Sequence, residues 1–486
     1  MVRMNNIPVA PLPTTLSELR RDIIGIDTRV PVLDGSLRPY VFLDNGASTP
    51  SFGRVLRCVE SFLPWYSGVH RGTGFKSLLS TEVYDAAHAV VGRFVGADPS
   101  YHTVVFTRNT TECVNKLANR AELKRDDVVI TTLLEHHSND LPWRKYATVV
   151  HVGMLPDGRL DVDAMRDAIK RHAGKLRFVA VTGASNITGY CSPIHDIAEW
   201  AHAAGARIFV DAAQLAPHRR ISMEAPDDPR NLDFVALSAH KMYAPFGTGA
   251  LVGPTSFFEQ GDPDMVGGGV VEVVTLDHAH WNKPPHKEEA GSPNVVGAVA
   301  LGEAVAILES VGMDAVAEHE SALLQYAYRH LSRIPGVHLY GLPHPPTDKV
   351  GVITYNIRDM HHALVAAIMG IEGAIGIRNG CFCAHPYVKE LLGLTAEDDA
   401  AHEAAVLGGD KTSMPGLIRA SLGCYNSTDD IDALVEMTGR ITRGEYQGVY
   451  VQERASGAYQ AQGASMASGD AFPYLKDFFH HTKVSA

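Results

Sequence analysis

The sequence predicts an α/β fold: a large domain on a mostly parallel sheet flanked by helices, followed by a small α+β C-terminal domain. Three observations carry this. From residue 100 to residue 240, short β-branched runs alternate with helical stretches, the rhythm of βαβ units. Runs such as FVAVTG and RIFVDA are apolar almost throughout, as strands covered on both faces are. After residue 294 the rhythm gives way to one long helical region and then a shorter mixture of strands and helices.

In chain order, a short helix is expected near Thr15–Ile24, and residues 80–96 carry apolar residues at helical spacing after a Ser/Thr start. Strands are expected at Thr103–Thr107, Val128–Leu133, Thr148–Val152, Phe178–Thr182, Arg207–Val210 and Phe234–Ser238, with helices at Asp161–His172 and Ile194–Ala204 between them. The region Asn294–Ile334 reads as a long helical bridge to the small domain. There, strands are expected near Gly351–Tyr355, Ile375–Arg378 and Leu417–Leu422, and helices at Met360–Met369 and Thr428–Thr442. The stretch 392–416 reads as an exposed insertion, and 455–472, rich in Ala, Ser, Gly and Gln, as a flexible tail. The expected divisions are 1–40, a lead-in packing on the small domain; 41–310, the large domain; 311–450, the small domain; and 451–486, a tail.

With 45% hydrophobic and 20% charged residues among 486, the chain has globular proportions and length enough for a large core. A net charge of −12 with no basic stripe argues against nucleic acid as a partner. The six cysteines are too few for a disulfide framework, so a reducing, cytoplasmic location is expected. The most apolar long stretch, Val295–Gly312, is interrupted by Glu303 and Glu309, so no membrane span is expected. The N-terminus has no apolar core of a signal peptide.

Five motifs can carry chemistry. Lys241 ends SAHK after an apolar strand, where a partly dry amine becomes a Schiff-base nucleophile; the plain alternative is a surface lysine. Asp211 ends another strand, thirty residues earlier, at the edge where α/β proteins bind ligands; it can equally cap the next helix. Thr110 and Thr111 open a helix and suit a phosphate or a simple N-cap. His136 begins an imidazole pair that suits stacking on a planar ring better than zinc, since no further ligand motif accompanies it. Cys381 and Cys383 share a Gly/Pro-bounded loop that can be a redox pair, a metal fragment or a nucleophile; one CxC is a poor metal site, and Arg378 and His385 beside it favour an activated thiol over a buried inert one.

Taken in order, the segments FLDNGASTP (42–50), HRG (70–72), TRNTTE (107–112), LEHHSNDLPW (134–143), ASNITGY (184–190), VDAAQ (210–214), SAHKMYAPFGTG (238–249), EAGSPN (289–294), IRNGCFCA (377–384) and IRASLGCYN (418–426) resemble the class V aminotransferase family of fold-type I pyridoxal-phosphate enzymes. Within it they are most similar to short-loop cysteine desulfurases and selenocysteine lyases, and GCFC looks like the desulfurase domain of molybdenum-cofactor sulfurases.

The resemblance implies a seven-stranded sheet in the large domain, pyridoxal 5'-phosphate as cofactor, no metal, and a homodimer. It implies that Lys241 binds the cofactor covalently and moves the substrate proton, that Asp211 pairs with the ring nitrogen, and that His136 stacks on the ring. Gln214 would hydrogen-bond the phenolic oxygen, and Thr110, Thr111, Ser238 and His240 would hold the phosphate. Ser292 would reach the partner subunit's phosphate; Asn186 and Arg419 would grip the substrate carboxylate beside Arg378. Cys383 would take sulfur from L-cysteine as a persulfide, leaving L-alanine, and pass it to an acceptor. Selenocysteine lyase, another C–S lyase and a non-turnover sulfur-relay protein stand as alternatives. Asn109 stands where relatives have glycine, and Cys381 where many have histidine.

Overall fold

The computed structural model describes residues 11–341, 349–463 and 471–472. The expected lead-in and tail therefore lie partly outside the described residues.

Seven strands form the large sheet: β1 His102–Thr107, β2 Val128–Thr132, β3 Thr148–Val152, β4 Leu176–Thr182, β5 Arg207–Asp211, β6 Phe234–Ser238 and β7 Gly249–Pro254. Their spatial order is β1-β7-β6-β5-β4-β2-β3. All run parallel except β7, which pairs antiparallel with both β1 and β6. Both faces are covered. Val179, Val181, Val210 and Val235 enter one buried cluster, while Phe178, Ala180, Phe209 and Phe234 enter another on the opposite face. This two-sided burial is why the strands read as continuous apolar runs.

The sequence reading missed β7. Its run GALVGP follows a glycine-rich turn and carries little β-branching, so neither alternation nor composition marks it. The expected long helix at 294–334 is two helices, Val295–Val311 and Met313–Leu331, bent by 75° at Gly312. Gly312 sits at φ +91°, a left-handed conformation that glycine tolerates and that ends the first helix. Among the described residues no single helix is long and apolar enough to cross a membrane.

Four antiparallel strands make the second sheet: β8 Val337–Tyr340, β9 Val352–Ile357, β10 Arg378–Gly380 and β11 Leu417–Ser421, in the order β8-β9-β11-β10. The expected single strand Ile375–Arg378 is split: Ile375–Gly376 pairs parallel with Val41–Phe42, and only Arg378 onward joins the second sheet. The insertion forms a helix, Ala396–Leu407, none of whose side chains is buried. Its return segment runs beneath the cysteine loop. Part of the expected flexible tail is instead ordered: Tyr459–Ala461 pairs with Tyr450–Gln452. In the N-terminal segment, Arg20 pairs with Asp430 at 3.0 Å and Leu33 N–H donates to Ile371 O at 2.8 Å, while Leu19 and Ile23 bury against Val55 and Val91.

Candidate active site

The C-terminal ends of the parallel strands converge on a cavity of about 350 Å³, the crevice where open α/β sheets bind ligands. Asp211 ends β5, Thr182 ends β4 and Ser238 ends β6; Lys241 follows β6 by one short turn, and Thr110 and His136 follow β1 and β2. The cavity brings together all but one of the residues to which the resemblance gives a role: Thr110, Thr111, His136, Asn186, Asp211, Gln214, Ser238, His240, Lys241, Arg378, Cys383 and Arg419 line it. Ser292 does not; it is exposed and outside the cavity.

Burial sets the protonation of the floor. It lowers the Lys241 amine to about 8, with Asp211 opposing the shift. Asp211 is buried and its carboxyl is pushed up by desolvation, although the Ala213 N–H donates to it at 3.0 Å and Lys241 stabilises its charge. A cationic ring nitrogen is the partner that would restore its ionisation. His136 is held neutral, at about 3, by burial and then by Lys241. Its Nδ1 accepts from the Ser138 N–H at 3.1 Å, which leaves the proton of the neutral ring on Nε2. His240 is also neutral, at about 4, again through burial and Lys241.

One end of the cavity suits a phosphate. The helix Thr110–Arg120 begins there, with Asn109 as N-cap accepting from the Glu112 N–H at 3.0 Å. Thr110 Oγ1 lies 2.8 Å from Ser238 Oγ, and Thr111 Oγ1 lies 2.7 Å from Ser138 Oγ. Asn109 has φ −175°, extended backbone open to any side chain, so the missing glycine costs nothing here. The close approach is absorbed across the sheet, where a Cβ on Gly249 would stand 2.6 Å from Asn109 Cα and 2.8 Å from Leu237 O. Gly249→Ala should therefore displace the Asn109–Thr110 turn. We expect a loss of about 1–3 kcal/mol, read as a lower urea midpoint, together with weaker retention of a phosphorylated cofactor.

The other end suits a carboxylate. Arg378 and Arg419 face each other across β10 and β11. Asp44 bridges them, at 3.0 Å to Arg378 and 3.1 Å to Arg419. Arg419 is buried, which lowers its guanidinium to about 10, and its Nη1 donates to Asn186 O at 3.0 Å. Among the described residues, three buried polar atoms there have no hydrogen-bond partner: Arg419 Nε, Asn186 Oδ1 and Gln214 Oε1. Buried polar atoms are ordinarily paired, so these mark where a ligand's polar groups fit. The Gln214 amide meanwhile donates to Gly46 O at 2.6 Å.

The cysteine loop closes the open side. Phe382 and Cys383 both have positive φ, +49° and +56°, and follow Gly380 at +106°. Two consecutive non-glycine residues in this region are strained by roughly 1–2 kcal/mol each, and the surroundings must hold them. Asn186 Nδ2 donates to Phe382 O at 2.9 Å, the His137 N–H donates to Cys383 O at 2.7 Å, and the Arg419 guanidinium stacks on the Phe382 ring at 4.9 Å. Cys383 is exposed into the cavity mouth. Cys381 is buried, its thiol pushed up to about 11 by desolvation, and it donates to Pro415 O at 3.1 Å.

Sequence reasoning gave no role to Asp44, Ser138 or His137. Asp44 lies in FLDNGASTP, and the others lie in LEHHSNDLPW, so the segments were visible but the contacts were not. Glu135, in the same segment, is fully buried behind the site. Its carboxyl is raised to about 8 by desolvation, while it accepts from Thr132 Oγ1, Asn139 Nδ2 and the Thr182 N–H.

Comparison with known proteins gives one consistent answer. The chain is 34% identical over 417 residues to a probable cysteine desulfurase of Halalkalibacterium halodurans, covering 84% of this chain and 94% of that protein. A probable cysteine desulfurase of Halobacterium salinarum is 34% identical over 427 residues, with 85% and 95% covered. Among solved structures, the apo cysteine desulfurase of Thermococcus onnurineus superposes with a TM-score of 0.75 at 27% identity, covering 90% of this chain and 99% of that one. The cysteine desulfurase CsdA (S-sulfonic acid) of Escherichia coli gives 0.73 at 27%, with 89% and 99% covered. The sequence profile "Aminotransferase class-V" matches residues 41–434, a span that contains every lining residue of the cavity, and on that match the chain belongs to the class-V aminotransferase family.

Proposed function

We propose that the chain is a pyridoxal 5'-phosphate-dependent cysteine desulfurase that converts L-cysteine to L-alanine and takes the sulfur onto Cys383. The observation that carries this reading is that one cavity holds a low-pKa lysine, a buried carboxylate, a buried guanidinium and an exposed thiol. The bound cofactor would supply an electron-accepting ring that acidifies the substrate Cα–H and weakens the Cβ–Sγ bond.

The chain's own residues supply the rest. Lys241 binds the cofactor and later accepts the Cα proton on Nζ. Asp211 keeps the ring nitrogen protonated, and His136 covers the ring. Thr110, Thr111, Ser238 and His240 hold the phosphate, with both histidines neutral so that no charge is spent on them. Gln214 holds the phenolic oxygen. Arg419 and Asn186 bind the substrate carboxylate, with Arg378 beside them, and Asp44 balances the two guanidinium charges. The Cys383 thiolate then bonds to the substrate Sγ as the Cβ–Sγ bond breaks. Cβ keeps the electron pair and takes up a proton, Lys241 returns a proton to Cα, and alanine leaves with a persulfide remaining for an acceptor protein or molecule. Incubation with L-cysteine and a thiol reductant should release sulfide and alanine in equal amounts. Alanine formation that is independent of Cys383 would instead favour another C–S lyase.

We further propose a homodimer in which Ser292 completes the partner's phosphate site. Ser292 is exposed in EAGSPN, next to a hairpin, Val271–Val274 with Ala279–Trp281, whose apolar side chains stand in solvent in the single chain: Val273, Val274 and Leu276 are exposed, as are Met265 and Val266 before it. A patch of that kind marks an interface. Sedimentation at micromolar concentration should give a dimer, and Ser292→Ala should weaken cofactor retention without dissociating it. A fully active monomer would overturn this assignment.

A further inference from the structure

We infer that His70, Asp85 and His286 form a binding site for a divalent transition cation of the zinc class, separate from the Lys241 cavity. One nitrogen of each imidazole and one carboxylate oxygen lie within 4.8 Å of one another. Small side-chain rotations would bring them onto a single ion at ordinary Zn–N and Zn–O distances of about 2.0–2.2 Å. None of the three lines the cavity of the proposed reaction.

Three further observations favour a ligand here. First, among the described residues no hydrogen bond or ion pair engages either imidazole or the Asp85 carboxylate, so nothing must be broken to free them; the His70 ring lies against His286 and Tyr84, with centroids 4.1 Å and 5.7 Å away. Second, the His70 backbone is strained: φ is +68°, and the Arg71 N–H donates to Val69 O at 3.0 Å, closing a tight turn about it. A non-glycine residue persists in such a turn only when its surroundings hold it, and such strain clusters at ligand sites. Third, a buried carboxylate stands behind the cluster. Glu289 accepts from His88 Nε2 at 3.0 Å, the Phe106 N–H at 2.7 Å and Tyr84 OH at 2.7 Å, so its oxygens are taken and it adds negative potential rather than a ligand.

Two imidazoles and one carboxylate leave at least one coordination position open, the donor set of zinc, cobalt(II) and nickel(II) rather than calcium or magnesium. The ion would tie the loop around HRG to the segment that leads into EAGSPN, two stretches separated by more than two hundred residues. It would hold the Ser292 segment in place without touching substrate.

The test is titration of the full-length holoenzyme with Co2+, followed by visible spectra at wavelengths beyond the cofactor's own absorption, and with Zn2+ by calorimetry. One ion per chain and a cobalt spectrum without thiolate charge-transfer bands are expected. His70→Ala, Asp85→Asn and His286→Ala should each weaken binding by more than ~10-fold, the loss that outer-shell changes alone produce. The first two residues are exposed and His286 is half-buried, so the variants should keep the parent's far-ultraviolet dichroism. The proposal falls if the parent binds no ion at micromolar concentration, or if the three variants bind as the parent does. It falls equally if the bound cobalt shows thiolate charge transfer that disappears in Cys383→Ser, since the ion would then sit on the cysteine loop.

Discussion

Lys241→Ala should lose the yellow absorbance of the holoenzyme and at least about 10³-fold of its turnover, since a positioned proton carrier alone supplies roughly 10²–10⁴ and the covalent anchor is lost with it. The expectation rests on where the amine sits. β6 ends in Ser238 and a single short turn delivers Lys241 to the cavity floor, beside the carboxylate that ends β5. Burial lowers the amine to about 8. Only the unprotonated amine attacks a carbonyl, so the rate at which the apoenzyme takes up pyridoxal phosphate should rise with pH up to about 8 and level off above it. In a fully exposed lysine the same rise would continue to about 10.4. Stopped-flow absorbance across pH 6.5 to 9.5 measures this directly. A plateau displaced toward the ordinary lysine value, or a Lys241→Ala protein that still makes alanine at the parent rate, would remove the covalent assignment.

Much of this site was legible in the chain because strand ends announce themselves. Asp211, Ser238 and Lys241 follow apolar runs whose limits the sequence marks to within a residue, and βαβ geometry puts such ends on one edge. What stayed hidden depends on contacts between distant segments. Asp44 is one carboxylate in a short polar turn, and its bridge to Arg378 and Arg419 arises only when β10 and β11 bring the two arginines face to face. The strand β7 was missed for a local reason: with glycine at its first residue and again at its fifth, it reads as loop, and it gains its place by pairing on both sides. The cluster of His70, Asp85 and His286 has no spacing signal, because three segments supply it. The bend at Gly312 was hidden by the apolar composition of the helix before it, which carries helical character past the break.

Cys383→Ser should abolish desulfuration and leave the cofactor spectrum intact, whereas Cys381→Ser should keep much of the activity. Both thiols lie in one loop, and sequence register alone favours Cys383, five residues after Arg378 and directly before Ala384. The fold adds a physical distinction. Cys383 is exposed at the mouth of the cavity, while Cys381 is buried and donates its S–H to Pro415 O at 3.1 Å. Desolvation pushes the Cys381 thiol up to about 11, so at neutral pH it is a thiol and not the thiolate that sulfur transfer needs. Serine at 381 can donate the same hydrogen bond. Alanine cannot, and would leave the return segment of the 392–416 insertion unfastened from the loop. The graded expectation is therefore near-parent turnover for Cys381→Ser, a clear loss for Cys381→Ala, and no turnover for Cys383→Ser. Mass spectrometry after brief exposure to L-cysteine without reductant places the added sulfur. Sulfur found on Cys381, with Cys383→Ser still active, would reverse the assignment. Such a result would require the loop to turn over, exchanging the two left-handed residues Phe382 and Cys383 for a conformation in which the buried thiol faces the cavity.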